Sequence, residues 1–238
     1  LGLNIIHDEI FIQKETYLDI DFSYTIDISE KGKMAFGIKG GAHLLDIDTQ
    51  RANRGPYNIG DSSAEMNIDN KFSPQIGIGA FYYGEKLYLG LSVPNLLQTN
   101  HFDESGLDDS NNEVSLSRSS IAEERINYYL LTGYVFDINE HLKLKPALLT
   151  KITVGAPLQV DVSANFLIYD KLSLGAAYRW SAAISAMVGF QISDQLMLGF
   201  GYDQETTELA RYNDGSYEVI LRYELFRRNS KMKNPRFF

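Results

Sequence analysis

Cysteine is absent from the 238 residues, which excludes disulfides and thiolate metal sites; the absence suits an oxidising compartment as well as a reducing one, so location stays open. Long apolar runs are absent too. No stretch approaches the roughly 18 to 20 continuous apolar residues of a membrane-spanning helix, so a helical membrane protein is excluded, whereas strands that cross a bilayer are not. Basic residues are in the minority, 22 Lys+Arg against 31 Asp+Glu for a formal charge of −9, and no cationic face for backbone phosphates is expected. Nucleic acid is therefore not an expected partner. Histidine is scarce: His7, His43, His101 and His141 lie far apart with no metal-binding spacing. No Gly-x-Ser-x-Gly elbow and no phosphate loop occurs, so the reading is non-enzymatic and without a cofactor; an outer-membrane lipid enzyme hiding a Ser/His pair on a barrel wall is the weaker alternative. The chain opens on Leu1 and not on Met, so a leader is not open to inspection.

What the chain does have is material for a large core, 44% hydrophobic residues with 13 Phe, 15 Tyr and 1 Trp, and a period of two. From Leu18 to Ile28 the even positions read Leu, Ile, Phe, Tyr, Ile, Ile, and the odd positions between them Asp, Asp, Ser, Thr, Asp. Successive strand side chains point to opposite faces, so such a segment has one apolar and one polar face. The alternation recurs through 158–168, 172–180, 184–192 and 217–225. It predicts strands near residues 1–9, 16–28, 33–45, 73–83, 86–95, 126–138, 141–152, 157–169, 172–181, 183–192, 195–204 and 216–226. These are about twelve strands, mostly of the length that spans a bilayer core when tilted.

The connections alternate in length. Short ones fall at 29–32, 84–85, 139–140, 170–171 and 193–194; long ones, at 46–72, 96–125 and 205–215, fall at the other end of the strands, the asymmetry of a transmembrane barrel. Aromatics on the apolar parity gather near both ends, Tyr128, Trp180, Tyr202 and Tyr217 at one and Tyr82 and Phe136 at the other, as interfacial girdles do. The competing reading is a soluble sandwich or ligand-binding barrel whose apolar face is a core. Against it stand the strand number, the loop asymmetry and the glycines studding the polar parity, among them Gly37, Gly41, Gly77, Gly79 and Gly90.

The expected fold is thus an all-β antiparallel transmembrane barrel over residues 1–226, followed by a basic tail at 227–238. Its polar parity directs Asp19, Asp21, Lys39, His43, Lys143, Lys145, Asp161, Arg179, Arg222 and Glu224 inward, where opposite charges on facing strands would pair, Asp21 with Lys39 for example. Such pairs either fill the interior or line a hydrated lumen that receives a partner segment. In the long loops Tyr57, His101 and Phe102 offer contact groups for a partner. The oxygen-rich run from Asp103 to Glu113 lacks the spacing of a calcium loop and reads as a solvated loop. The tail carries Arg227, Arg228, Arg236, Phe237 and Phe238, a basic run suited either to a periplasmic partner or to anionic surfaces generally.

Several segments resemble a known family. The run Ser73-Pro74-Gln75-Ile76-Gly77-Ile78-Gly79-Ala80-Phe81-Tyr82-Tyr83, continuing into Leu87-Tyr88-Leu89-Gly90-Leu91-Ser92-Val93-Pro94-Asn95, is similar to the central hairpin of the PorP/SprF outer-membrane proteins of the Bacteroidetes type IX secretion and gliding system. The Leu1-Gly2-Leu3 start with Asp8, the Leu174 to Arg179 strand, Gly201-Tyr202-Asp203, Gly215 to Tyr223 and the Asn234 to Phe238 tail match in the same order. The resemblance implies a barrel of roughly fourteen strands in a complete member, two of them preceding the position of Leu1. It implies a non-enzymatic protein of the outer membrane, both chain ends periplasmic, that helps export and retain a large secreted surface protein such as an adhesin and works with periplasmic ring proteins. A solute-conducting channel is the alternative.

Overall fold

The structure, a computed structural model, describes residues 1–48, 68–97, 125–211 and 213–225. Thirteen strands follow one another: β1 (Gly2–Ile10), β2 (Gln13–Ser29), β3 (Gly32–Ile47), β4 (Ile68–Gly84), β5 (Leu87–Val93), β6 (Asn127–Tyr134), β7 (Phe136–Asn139), β8 (Leu142–Thr153), β9 (Gln159–Ile168), β10 (Leu172–Arg179), β11 (Ala183–Gln191), β12 (Leu196–Glu205) and β13 (Ser216–Tyr223). They pair in chain order in one sheet, with β7 set aside on β8. Every printed register is antiparallel, for example Gly2 with Asp21 through Ile10 with Gln13. Among the described residues the only helical element is a short 3-10 turn at Glu208–Arg211. The all-β antiparallel expectation is met.

Three details differ from the sequence reading. The segment expected as one strand at 126–138 is broken at Val135 into β6 and β7; Val135 N–H instead donates to Lys86 O at 2.9 Å, and the β7–β8 register shifts between Asp137 and Asn139. β2, β3 and β4 run to 17, 16 and 17 residues, so they reach further into the first long connection, and back toward the two-residue turn at Phe11–Ile12, than expected. The turn after β9 centres on Tyr169 and Asp170, both left-handed at φ 53, and closes with Lys171 N–H on Ile168 O at 3.1 Å. Two consecutive positive φ values make it the mirror-image turn whose twist suits a hairpin, one residue earlier than Asp170-Lys171.

The chain divides into two compact units. The first takes the described residues of 1–23, 37–78 and 93–127, and the second those of 24–36, 79–92 and 128–238. In the first, the apolar parity is bare, Leu18 at 48%, Ile20 at 58% and Phe22 at 50% exposed, while Asp19 between them is 4% exposed. Its buried residues are Asp19, His43, Leu45, Ser73 and Gln75, all on the polar parity. In the second, Leu174, Ile184, Val188, Phe190 and Phe200 are exposed, and Tyr88, Val135, Lys145 and Ala183 are buried on the other parity. Water would penalise an apolar face of this extent, whereas hydrocarbon would not. Trp180, Tyr217 and Tyr128 stand exposed on that face, and Tyr202 packs on Tyr217 with centroids 5.0 Å apart.

Candidate functional site: the polar face of the sheet

In the first unit the odd positions of β2, β3 and β4 converge because strand parity puts all of them on one face. Lys39 Nζ donates to Asp19 Oδ2 at 3.1 Å and to Gln75 Oε1 at 3.3 Å, tying the three strands together. The pair is mostly withdrawn from solvent, the Lys39 side chain 20% and the Asp19 side chain 6% exposed. A Cβ on Gly41 would collide with Asp19 Oδ1 and would meet the backbone oxygen of Leu18 at 2.7 Å, so only glycine lets this carboxylate lie flat against β3. Further along, the Tyr17 ring stacks on His43 with centroids 4.2 Å apart and planes at 4°. Tyr17 O–H donates to Glu15 Oε2 at 2.6 Å, and His43 Nε2 stands 3.7 Å from the same oxygen.

The expected pairing of Asp21 with Lys39 is corrected by this geometry. Lys39 reaches Asp19, and Asp21 lies exposed across from Gly2 of β1. The hairpin turn alone did not reveal that β3 sits two residues further along β2 than assumed.

In the second unit, Arg179 Nε donates to Asp161 Oδ1 at 3.0 Å and its Nη2 to Oδ2 at 3.4 Å, a fork across the directly paired rung Arg179–Asp161 of β10 and β9. Gln159 donates to Asp161 Oδ2 at 3.2 Å, and Ser185 Oγ to Asp203 Oδ1 at 2.8 Å. Lys143 reaches Asp170 at 2.8 Å, Arg222 Nε lies 3.6 Å from Glu224, and Lys145 is buried. Phe81 packs on buried Tyr88 at 6.1 Å, over space left by Gly90 and Gly133. In the turn before β5, Lys86 donates to Asp137 at 3.0 Å; that hydrogen bond, then the carboxylate's charge, holds the ammonium above its ordinary pKa.

Of the residues expected on this face, Asp19, Lys39 and His43 sit in one buried group, and Asp161 with Arg179 forms another contact of the same kind. Ser73, Gln75, Glu15, Tyr17 and Tyr88 belong to the face as well. Parity against Phe72, Ile76 and Ile78 on β4 would have singled out Ser73 and Gln75. Tyr57, His101 and Phe102, and the tail residues Arg227, Arg228, Arg236, Phe237 and Phe238, lie outside the described residues. Among the described residues no group of His, Cys, Asp and Glu is arranged to hold a metal ion. The arrangement builds a wall of forked ion pairs, hydrogen bonds and stacked rings.

A chain-ordered antiparallel sheet with its polar face buried and its apolar face bare defines the wall of a transmembrane β-barrel protein. The family model described as type IX secretion system membrane protein PorP/SprF matches residues 1–223, and the chain belongs to that family. It is a component of type IX secretion in the outer membrane. No curated protein matches the chain.

Proposed function

We propose that the protein is a non-enzymatic outer-membrane barrel that binds a large secreted surface protein of adhesin type, helps its export and retains it at the cell surface. Membership of the type IX secretion family carries this reading. The polar face supports it, because its charged groups are engaged with one another as a structural wall would have them. In this reading the long connections face the outside and Tyr57, His101 and Phe102 contact the cargo. Both chain ends face the periplasm, where the basic tail with Arg227, Arg228, Arg236, Phe237 and Phe238 meets ring proteins of the secretion machine.

Affinity purification from cells that express the neighbouring genes tests it. One very large surface protein is expected in the eluate, and its recovery should fall when Tyr57, His101 and Phe102 are replaced by alanine. Removing residues 229–238 should lose a periplasmic partner while leaving a heat-modifiable barrel. Open ohmic steps in planar bilayers, with no large protein recovered, would overturn the reading in favour of a solute channel.

A further inference from the structure

The hairpin β1–β2 carries two neighbouring rungs of opposite design. On the apolar-parity face Glu9 lies across from Lys14, with Nζ 3.7 Å from Oε1. One rung away, on the polar-parity face, Asp8 lies directly across from Glu15. Like charges placed opposite one another across a strand pair destabilise it. The same face continues with Asp19 and Asp21 on β2, and neither strand offers it a lysine or arginine. In the first unit this face thus holds the carboxylates Asp8, Glu15, Asp19 and Asp21 against Lys39 and Lys71, 2 − 4 = −2.

A second observation points to something unfilled. Asp19 Oδ1 is buried without a hydrogen-bond partner, and so is the hydroxyl of Ser73, which is 0% exposed on β4 two residues from the Gln75 that shares Lys39 with Asp19. Unmade bonds at buried polar atoms are costly, and at a charged acceptor more so. The carboxylates repeat along β2 at steps of two and four residues, roughly 7 and 13 Å, which is the spacing of alternate side chains on an extended peptide. They are not gathered as metal ligands would be, in keeping with the lack of any such group among the described residues.

We propose that the polar face of β1–β2 is a docking strip for an extended, lysine- or arginine-bearing segment of a protein partner, read by Asp8, Glu15, Asp19 and Asp21. The strip stands independently of what the long connections hold. The opposed Asp8 and Glu15 are relieved when a cation settles between them, so the free protein carries the repulsion and the complex does not.

The test uses the full chain in detergent micelles with a fluorescein-labelled peptide of six Lys-Ser repeats, followed by anisotropy between 50 and 300 mM NaCl, conditions chosen because exposed charges are progressively screened over about this range. Saturable binding that weakens with salt is expected, with none for the matching Glu-Ser peptide. Asp8→Asn with Asp21→Asn, both exposed positions, should weaken binding roughly three- to tenfold, the worth of two exposed ion pairs. Asp8→Asn alone should raise the urea midpoint of the free protein while lowering its affinity, a pairing of effects that a merely structural residue would not show. Asp27→Asn with Glu85→Gln removes the same formal charge from the second unit and should leave affinity within about twofold. Equal loss in both double variants, no binding at all, or a saturable Ca²⁺ site that displaces the peptide would overturn the proposal.

Discussion

The two ion pairs at the centre of the two units differ in what surrounds them. Asp19–Lys39 is withdrawn from solvent and leaves one carboxylate oxygen unbonded, whereas Arg179–Asp161 is a fork whose arginine is 43% exposed and whose carboxylate gains a further bond from Gln159. A buried pair is costly to break because the survivor keeps its charge in a poor solvent; an exposed one is screened and contributes little. The wall is therefore sensitive to charge near β2–β4 and tolerant of it near the turns.

The largest expected effect is for Lys39→Met, which strands the Asp19 carboxylate and should cost roughly 3 to 5 kcal/mol in urea unfolding from micelles. The double change Asp19→Leu with Lys39→Met should restore most of that loss, and failure to do so would mean the pair stabilises on its own account. Next comes the bare face. Phe200→Arg on β12 should destabilise the bilayer-inserted protein by about 2 to 4 kcal/mol, where a water-facing position would tolerate arginine. Gly41→Ala forces Asp19 or the β2 backbone aside and should cost about 1 to 3 kcal/mol, read as a lowered midpoint. At the far end of the scale, Lys31→Ala removes the turn pair with Glu85, at 3.8 Å with both side chains well exposed, and should shift the same midpoint by less than about 0.5 kcal/mol.

Much of this was legible in the residues. The alternation from Leu18 to Ile28 announces a strand with one oily face whatever its partners, and tight Asx, Gly and Ser turns announce antiparallel neighbours. Parity alone placed Asp19, Lys39, His43, Lys145, Asp161 and Arg179 on one face. Register was not legible. Which carboxylate meets Lys39 depends on how far β3 slides along β2, and a two-residue slide preserves parity while exchanging Asp21 for Asp19. The break at Val135 also gave no signal, because Tyr134 and Phe136 continue the apolar parity through it. Likewise the stack of Tyr17 on His43 joins residues 26 positions apart, beyond the reach of local pattern.

The assignment rests on which face of the sheet meets lipid, and the absence of cysteine makes that directly measurable. Single cysteines placed in turn at 184 through 189 on β11 can be nitroxide-labelled in liposomes and their accessibility to oxygen and to a water-soluble nickel chelate compared. The account predicts strict alternation, with oxygen favoured at Ile184, Ala186 and Val188 and the chelate favoured, or both excluded, at Ser185, Met187 and Gly189. Chelate access at Ile184, Ala186 and Val188 equal to that at a turn residue would contradict it.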